Sequence, residues 1–221
     1  MLAARLHAAS GRVSAQAPLH VDGYEYTLDF SIGTPPQKVS AIADTGSDLT
    51  WIKCGSCRCC TPHGAPYHPD MSSSFSMLPC SDRLCGALGA TCGGGGAECA
   101  YTYPYGVEFD PHLYARGYLG SETFTLGDDR VLGGVAVPGD GFGCTTVSEG
   151  IYGTSSGIVG LGRGPLSLVS QLNVGAFSYC LSDRSTASLL LFGSLAALTY
   201  GRRRPVDAAP RDPCHILLCQ P

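Results

Sequence analysis

The run Ala43-Asp44-Thr45-Gly46-Ser47 sets a carboxylate on a tight turn between two apolar stretches, Val39 to Ala43 and Leu49 to Ile52. An aspartate held this way can do one demanding piece of chemistry. If a second carboxylate faces it across a trapped water, the pair shares one proton, because both cannot ionise at close range. The ionised member takes a proton from the water as it attacks a peptide carbonyl. The protonated member polarises that carbonyl and then supplies the leaving nitrogen. No metal and no covalent nucleophile is needed. Gly46 gives the turn backbone freedom and an amide to aim at the carboxylate, and Thr45 and Ser47 bring hydroxyls. Asp-x-Gly is also common turn chemistry, so the meaning of Asp44 depends on what surrounds it.

The surrounding elements read as strands. Tyr24 to Ile32 alternates apolar and polar residues as a half-buried strand does, Gly33-Thr34-Pro35-Pro36 is a turn, and Val39 to Ala43 returns. Cys54 to Cys99 is a Cys/Gly/Pro/Ser insertion of little periodicity that ends in the linker Gly93 to Gly96. Ala100 to Tyr105 and Ser121 to Leu126 read as a hairpin, and Val135 to Val137 and Gly141 to Cys144 as two further strands. Gly157 to Gly162 is a buried glycine-rich strand, and Pro165 to Leu172 has helical spacing with proline in the first turn. Ala176 to Cys180 and Ser188 to Phe192 are the last strands. The expected division is a propeptide-like or disordered segment over 1–22, one all-β unit over 23–198, and a divergent, disordered tail over 199–221.

Composition agrees with short strands and turns. Charged residues make up 14%, there are 30 Gly and 15 Pro, and the formal charge is −4. Nucleic acid is excluded as a partner by that balance, and no stretch reaches the ~18 apolar residues of a membrane span. Ten of the twelve cysteines lie between Cys54 and Cys180, which points to disulfides and an oxidising, secretory compartment, extracellular or vacuolar. Zinc is the competing reading, since Cys54, Cys57, Cys59 and Cys60 crowd near His63 and His68. It lacks a second ligand knuckle, and neither a metal nor a cofactor is expected. Met1 to Ala17 has no uninterrupted apolar core and is not a signal peptide, so the expectation is a start downstream of the biological one. Gly160-Leu161-Gly162-Arg163-Gly164 has the wrong glycine spacing for a dinucleotide fingerprint and no βαβ frame around it.

Phe30 to Gln37, then Ile42 to Trp51, resemble the first catalytic loop of pepsin-like aspartic proteases. The cluster Cys54-x-x-Cys57-x-x-Cys60, Ser73-Ser74-Phe75-Ser76 with Leu78-Pro79-Cys80, and Tyr101-Thr102-Tyr103-x-Tyr105-Gly106 resemble the plant nepenthesin type. So do Phe142-Gly143-Cys144, Gly160 to Leu168 and Phe177-Ser178-Tyr179-Cys180. The resemblance implies the N-terminal lobe of a bilobal acid protease, with short helices and a disulfide-rich insertion, acting on polypeptides as an endopeptidase. Asp44 would be its catalytic carboxylate, Ser47 would bond the outer oxygen, and Thr45 would meet the equivalent loop of the other lobe. Tyr105, with Gly106, would be the flap tyrosine that closes over substrate, its hydroxyl anchored by Trp51. The implied disulfides are Cys54–Cys57, Cys60–Cys144, Cys80–Cys99 and Cys85–Cys92. Cys180 would pair with a cysteine of the second lobe, Cys59 is surplus, and Cys214 and Cys219 have no assigned partner.

Two departures shape the functional expectation. After Tyr105-Gly106 the chain continues Val107-Glu108-Phe109-Asp110-Pro111, unlike the usual flap, and it carries no second Asp-Thr-Gly or Asp-Ser-Gly. A complete site therefore needs a second lobe or a second copy of the chain, and the single lobe is expected to be weakly active or inactive. The alternative is a non-catalytic binding protein on the same scaffold, of the glycosidase-inhibitor kind.

Overall fold

The computed structural model describes residues 13–60, 63–89, 91–92, 97–105, 113–127, 134–149, 154–181, 188–198 and 214–218. Thirteen strands and three short helices follow one another along the chain. They are β1 (Ala15–Asp22), β2 (Glu25–Ile32), β3 (Gln37–Asp44), β4 (Trp51–Arg58), β5 (Ser76–Met77), α1 (Arg83–Leu88), β6 (Thr91–Cys92), β7 (Cys99–Pro104), β8 (Tyr114–Leu126), β9 (Val135–Glu149), β10 (Gly157–Gly160), α2 (Leu168–Gln171), β11 (Ala176–Cys180), β12 (Ser188–Phe192), α3 (Ser194–Leu198) and β13 (Cys214–Leu218).

All strands join one sheet, ordered β13-β11-β12-β1-β2-β3-β10-β4-β9-β8-β7-β6, with β5 on β8. A further pairing of β2 with β8, Phe30 opposite Leu126, closes these two and the four strands between them into a six-stranded ring. Period-two alternation fills it. In β2, Leu28, Phe30 and Ile32 point into the core while Asp29 and Ser31 stay half-exposed. Phe124, Phe142 and Tyr67 pack against one another edge to face within the same core. A second apolar cluster, built on Leu49, Trp51, Tyr101, Leu119 and Ile158, lies on the other face beneath the β7–β8 hairpin.

Several sequence expectations change. Residues 15–22 are not disordered: Ala15, Ala17 and Leu19 alternate inward, and β1 pairs with both β2 and β12. The tail contributes β13, which pairs with β11 and satisfies backbone groups along that edge. Residues 1–12, 199–213 and Cys219 lie outside the described residues. The two strands expected over 135–144 are one, because a bulge at Pro138-Gly139, with Gly139 at φ +83°, absorbs the extra residue between Phe124↔Val137 and Glu122↔Asp140. The helix expected from Pro165 begins at Leu168, since the Ser167 hydroxyl accepts the Ser170 amide and caps it there.

The disulfides also differ from those the resemblance implies. They join Cys54 to Cys144, Cys57 to Cys60, Cys80 to Cys92 and Cys85 to Cys99. Parallel pairing of β4 and β9 sets Ile52 opposite Cys144, so the buried Cys54 next on that face meets Cys144 rather than Cys57. In the insertion, β6 and β7 hold Cys92 beside Cys99, and burial sorts the rest. Cys85 and Cys99 are both buried, whereas Cys80 and Cys92 lie on the outer side. Cys59 is exposed and free.

Two buried carboxylates sit opposite each other on β8 and β9, Glu122 and Asp140. Burial pushes Glu122 up, but hydrogen bonds involving Ser74, the Tyr67 hydroxyl, the Thr123 amide and Ser72 outweigh it and hold the carboxyl below its ordinary value. Asp140 is only 4% exposed, and its Oδ2 finds no partner among the described residues. Burial pushes it up to about 7. A carboxyl raised above its unfolded value near ~3.9 contributes stability that is complete below that value and is lost as pH rises through about 7. The thermal midpoint is therefore expected to fall between pH 4 and pH 8. Asp140→Asn should flatten that fall, which a calorimetric pH series measures directly.

Candidate active site

Asp44 is the last residue of β3, and two bonds fix its carboxylate. The Gly46 amide donates to Oδ1 at 2.8 Å, and the Ser47 hydroxyl donates to Oδ2 at 2.5 Å. The loop's tip, Thr45 and Gly46, is exposed, while Asp44 and Ser47 are half-buried. One carboxylate is thus oriented on a rigid turn with an open side, as the sequence expectation requires of it.

The rigidity comes from β10, a strand threaded between the two that flank the loop. It runs parallel to β3, with Gly160 opposite Asp44, and antiparallel to β4, with Ile158 opposite Trp51. All four of its residues are buried, which explains an apolar run without alternation. The passage is narrow. A Cβ on Gly160 would lie 2.1 Å from the Asp48 carbonyl oxygen, and one on Gly157 would lie 2.0 Å from that of Trp51. Beyond β10 the chain keeps hold of the loop. The Leu161 amide donates to the Asp44 carbonyl at 2.8 Å and the Gly162 amide to the Ser47 carbonyl at 2.9 Å. The Gly164 amide reaches Asp48 Oδ1 at 2.8 Å, and the Gly160 amide reaches Thr50 Oγ1 at 3.2 Å.

The Trp51 and Tyr105 rings pack together, with centroids 5.9 Å apart. The indole nitrogen and the phenol oxygen are both buried and lie close, but fall short of a formed hydrogen bond. Burial, reinforced by Tyr101 and Tyr103, pushes the Tyr105 hydroxyl well up, so it stays a neutral donor at acid and neutral pH. The Tyr105 amide bonds the Leu113 carbonyl at 2.8 Å and closes the base of the hairpin. Gly106 and the flap extension 107–111 lie outside the described residues. Gly143 opens space for Tyr101, whose hydroxyl shares a 2.5 Å hydrogen bond with Thr145.

Sequence reasoning quoted Asp48 and Tyr103 without giving either a role. Asp48 is the loop's second fixed point, and the Tyr103 ring packs tilted against that of Tyr105, centroids 5.1 Å apart. The signal for Asp48 was present, since a polar residue between Ser47 and the buried Leu49 must spend its carboxylate somewhere. Of metal-type ligands, the sulfurs of Cys80, Cys85 and Cys92 lie within 4.8 Å of one another, but all three are already disulfide-bonded.

A family model described as the xylanase inhibitor N-terminal domain matches residues 26–194. Aspartic proteinase nepenthesin-1 of Nepenthes gracilis is 44% identical over 192 residues, covering 85% of this chain and 41% of that protein. Nepenthesin-2 of the same plant is 41% identical, covering 88% and 42%. Aspartyl protease 37 of Oryza sativa subsp. japonica is 40% identical, covering 97% and 47%. The chain thus spans less than half the length of these relatives. Among solved structures, soybean basic 7S globulin aligns with a TM-score of 0.62 at 21% identity, over 83% of this chain and 50% of that one. The aspartic proteinase from Irpex lacteus aligns with a TM-score of 0.59 at 17% identity, over 86% and 51%. Both are likenesses of fold.

The narrow passage makes a firm prediction. Gly160→Ala must push Asp48 and its loop away from β10, and is expected to cost about 3 kcal/mol of stability in urea unfolding.

Proposed function

We propose, since the chain belongs to the plant pepsin-like aspartic protease family and carries its N-terminal lobe, that it supplies one half of an aspartic endopeptidase site. Asp44 is the half it supplies, and polypeptide is the substrate class. The observation that carries this is the double fixing of Asp44, by the Gly46 amide and the Ser47 hydroxyl, on a loop whose upper side is open. A pure binder has no use for a carboxylate oriented so closely. The missing half is a second carboxylate, from another lobe or another copy of the chain, because one group cannot be acid and base in the same step.

In the completed site the water lies between the two carboxylates. The ionised one takes its proton during attack, and the neutral phenol of Tyr105 closes the site from the flap side. Four disulfides support a destination in the secretory pathway, extracellular or vacuolar. A second reading has its own support: the family model is described in terms of a xylanase inhibitor, and a seed globulin shares the fold. On that reading the lobe binds a glycosidase and cleaves nothing.

Purified chain, assayed on a denatured protein at about pH 3–4 with and without pepstatin, separates these outcomes. Little or no turnover is expected from the chain alone, and measurable turnover once a lobe bearing the second Asp loop is added. Pepstatin-sensitive turnover by the chain alone, abolished in Asp44→Ala, would show that two copies complete the site. Turnover that survives Asp44→Ala would remove Asp44 from the mechanism. Xylanase inhibition with no turnover under any condition would favour the binding reading.

A further inference from the structure

Gly160-Leu161-Gly162-Arg163-Gly164 has the wrong spacing for a dinucleotide site, yet its three glycines answer to one residue. Each leaves room for Asp48. A Cβ on Gly160 would lie 2.1 Å from the Asp48 carbonyl oxygen. One on Gly162 would lie 2.2 Å from its Oδ1, and one on Gly164 would lie 2.2 Å from its Oδ2. No side chain fits at any of the three positions unless Asp48 moves. The carboxylate is thus seated with both oxygens against backbone, and the Gly164 amide donates to Oδ1 at 2.8 Å.

The loop's carbonyls meet the same stretch: the Leu161 amide donates to Asp44 at 2.8 Å and the Gly162 amide to Ser47 at 2.9 Å. Those two main-chain bonds are open to any residue at position 48. The bond to Gly164 is not, because it needs a side-chain acceptor of this reach. Leu49, the next residue, is fully buried, so the seat closes the loop where it enters the core. Ser47 stands one residue before the seat, and its hydroxyl holds Asp44 Oδ2 at 2.5 Å. We propose that Asp48 is a positioning residue for Asp44: its seated carboxylate fixes the end of the loop from which Ser47 reaches Asp44. Its effect on turnover rests on the protease reading given above; the seat itself does not.

Asp48→Ala empties the seat, whereas Asp48→Asn keeps its shape and an oxygen for the Gly164 amide. Amide hydrogen exchange followed by NMR is expected to show Gly46, Gly162 and Gly164 exchanging about tenfold faster in Asp48→Ala, the size of one net hydrogen bond. Asp48→Asn should return all three to near the wild-type rate. Gly46 is the telling amide, because its bond goes to Asp44 and not to Asp48. Leu28, in the β2–β3 ladder, should be unchanged. Gly164→Ala, which crowds the seat and keeps the carboxylate, should give the same pattern and decides the case if Asp48→Ala does not fold. In an enzyme completed by a lobe bearing the second Asp loop, kcat of Asp48→Ala should fall about tenfold while KM holds, because orientation changes and substrate contact does not. Wild-type exchange at Gly46 and Gly162, or a wild-type kcat, in Asp48→Ala would overturn the proposal. So would uniform acceleration in every strand, which would make Asp48 an ordinary residue of the fold. Absence of turnover in the completed wild-type protein would count against the protease reading and leave the exchange result to decide Asp48.

Discussion

The threading of β10 between β3 and β4 is the constraint on which the rest depends. Three strands cannot lie this close unless the middle one lacks side chains where it meets the loop. Gly157 and Gly160 meet that demand, with backbone oxygens already where a methyl group would be. Ile158 and Val159, between them, feed the two apolar clusters on opposite faces, as period two requires. One four-residue strand thereby joins both cores and holds the loop that carries Asp44. The Cys54–Cys144 disulfide fastens β4 to β9 just beyond it, so one flank of the passage is covalently tied to its outer neighbour.

The same economy of space explains the buried charge. Glu122 and Asp140 face each other across β8 and β9, and the protein treats them oppositely. Glu122 is surrounded by the Tyr67, Ser72 and Ser74 hydroxyls, with the Thr123 amide, so among the described residues the ion is stabilised by neutral donors. Ser72 and Ser74 come from the serine-rich stretch that sequence marked only by resemblance. Their role is to solvate a carboxylate and to fasten the Thr34 turn: the Ser72 hydroxyl accepts the Thr34 amide, and Ser74 bonds the Thr34 hydroxyl. Asp140 has no such shell and stays protonated until near neutrality. A lobe with one carboxyl of each kind is poised to be firmest in acid, where Asp140 is neutral and Glu122 still charged.

Much of this was legible from residues alone. β2, β3, β10, β11 and β12 follow from alternation or from short apolar runs between turn residues, and the Asp44 loop from its sequence. What was not legible depended on partners distant in the chain. β1 lies in the segment expected to be propeptide-like or disordered, yet β12 and β2 pair with it on both sides. The bulge at Pro138-Gly139 looked like a break because a single sequence cannot show that β8 waits one residue out of step. The disulfides were misassigned for a similar reason. Cysteine spacing does not reveal that Ile52 lies opposite Cys144, or that burial separates Cys85 and Cys99 from Cys80 and Cys92. Asp48 was in view but silent, since its role lies in what its carboxylate touches.

The site is rigid in a way that bears on the proposal that it is one half of a catalytic pair. Asp44 is held at both carboxylate oxygens, Asp48 at its carboxylate, and the Ser47 carbonyl by the Gly162 amide. Nothing in that scheme depends on a second carboxylate for its geometry. On the proposed reading the half-site is preorganised before a partner arrives, and a partner need not reshape the loop on docking. It has only to bring its own acid to the open side, where Thr45 and Gly46 are exposed. Preorganisation of this kind is what catalysis needs, because reorienting a charged group during the reaction would add to the barrier. It is also what a rigid binding surface needs. The scaffold thus serves either use, and the feature that tips the balance toward hydrolysis is the aim of Asp44 itself.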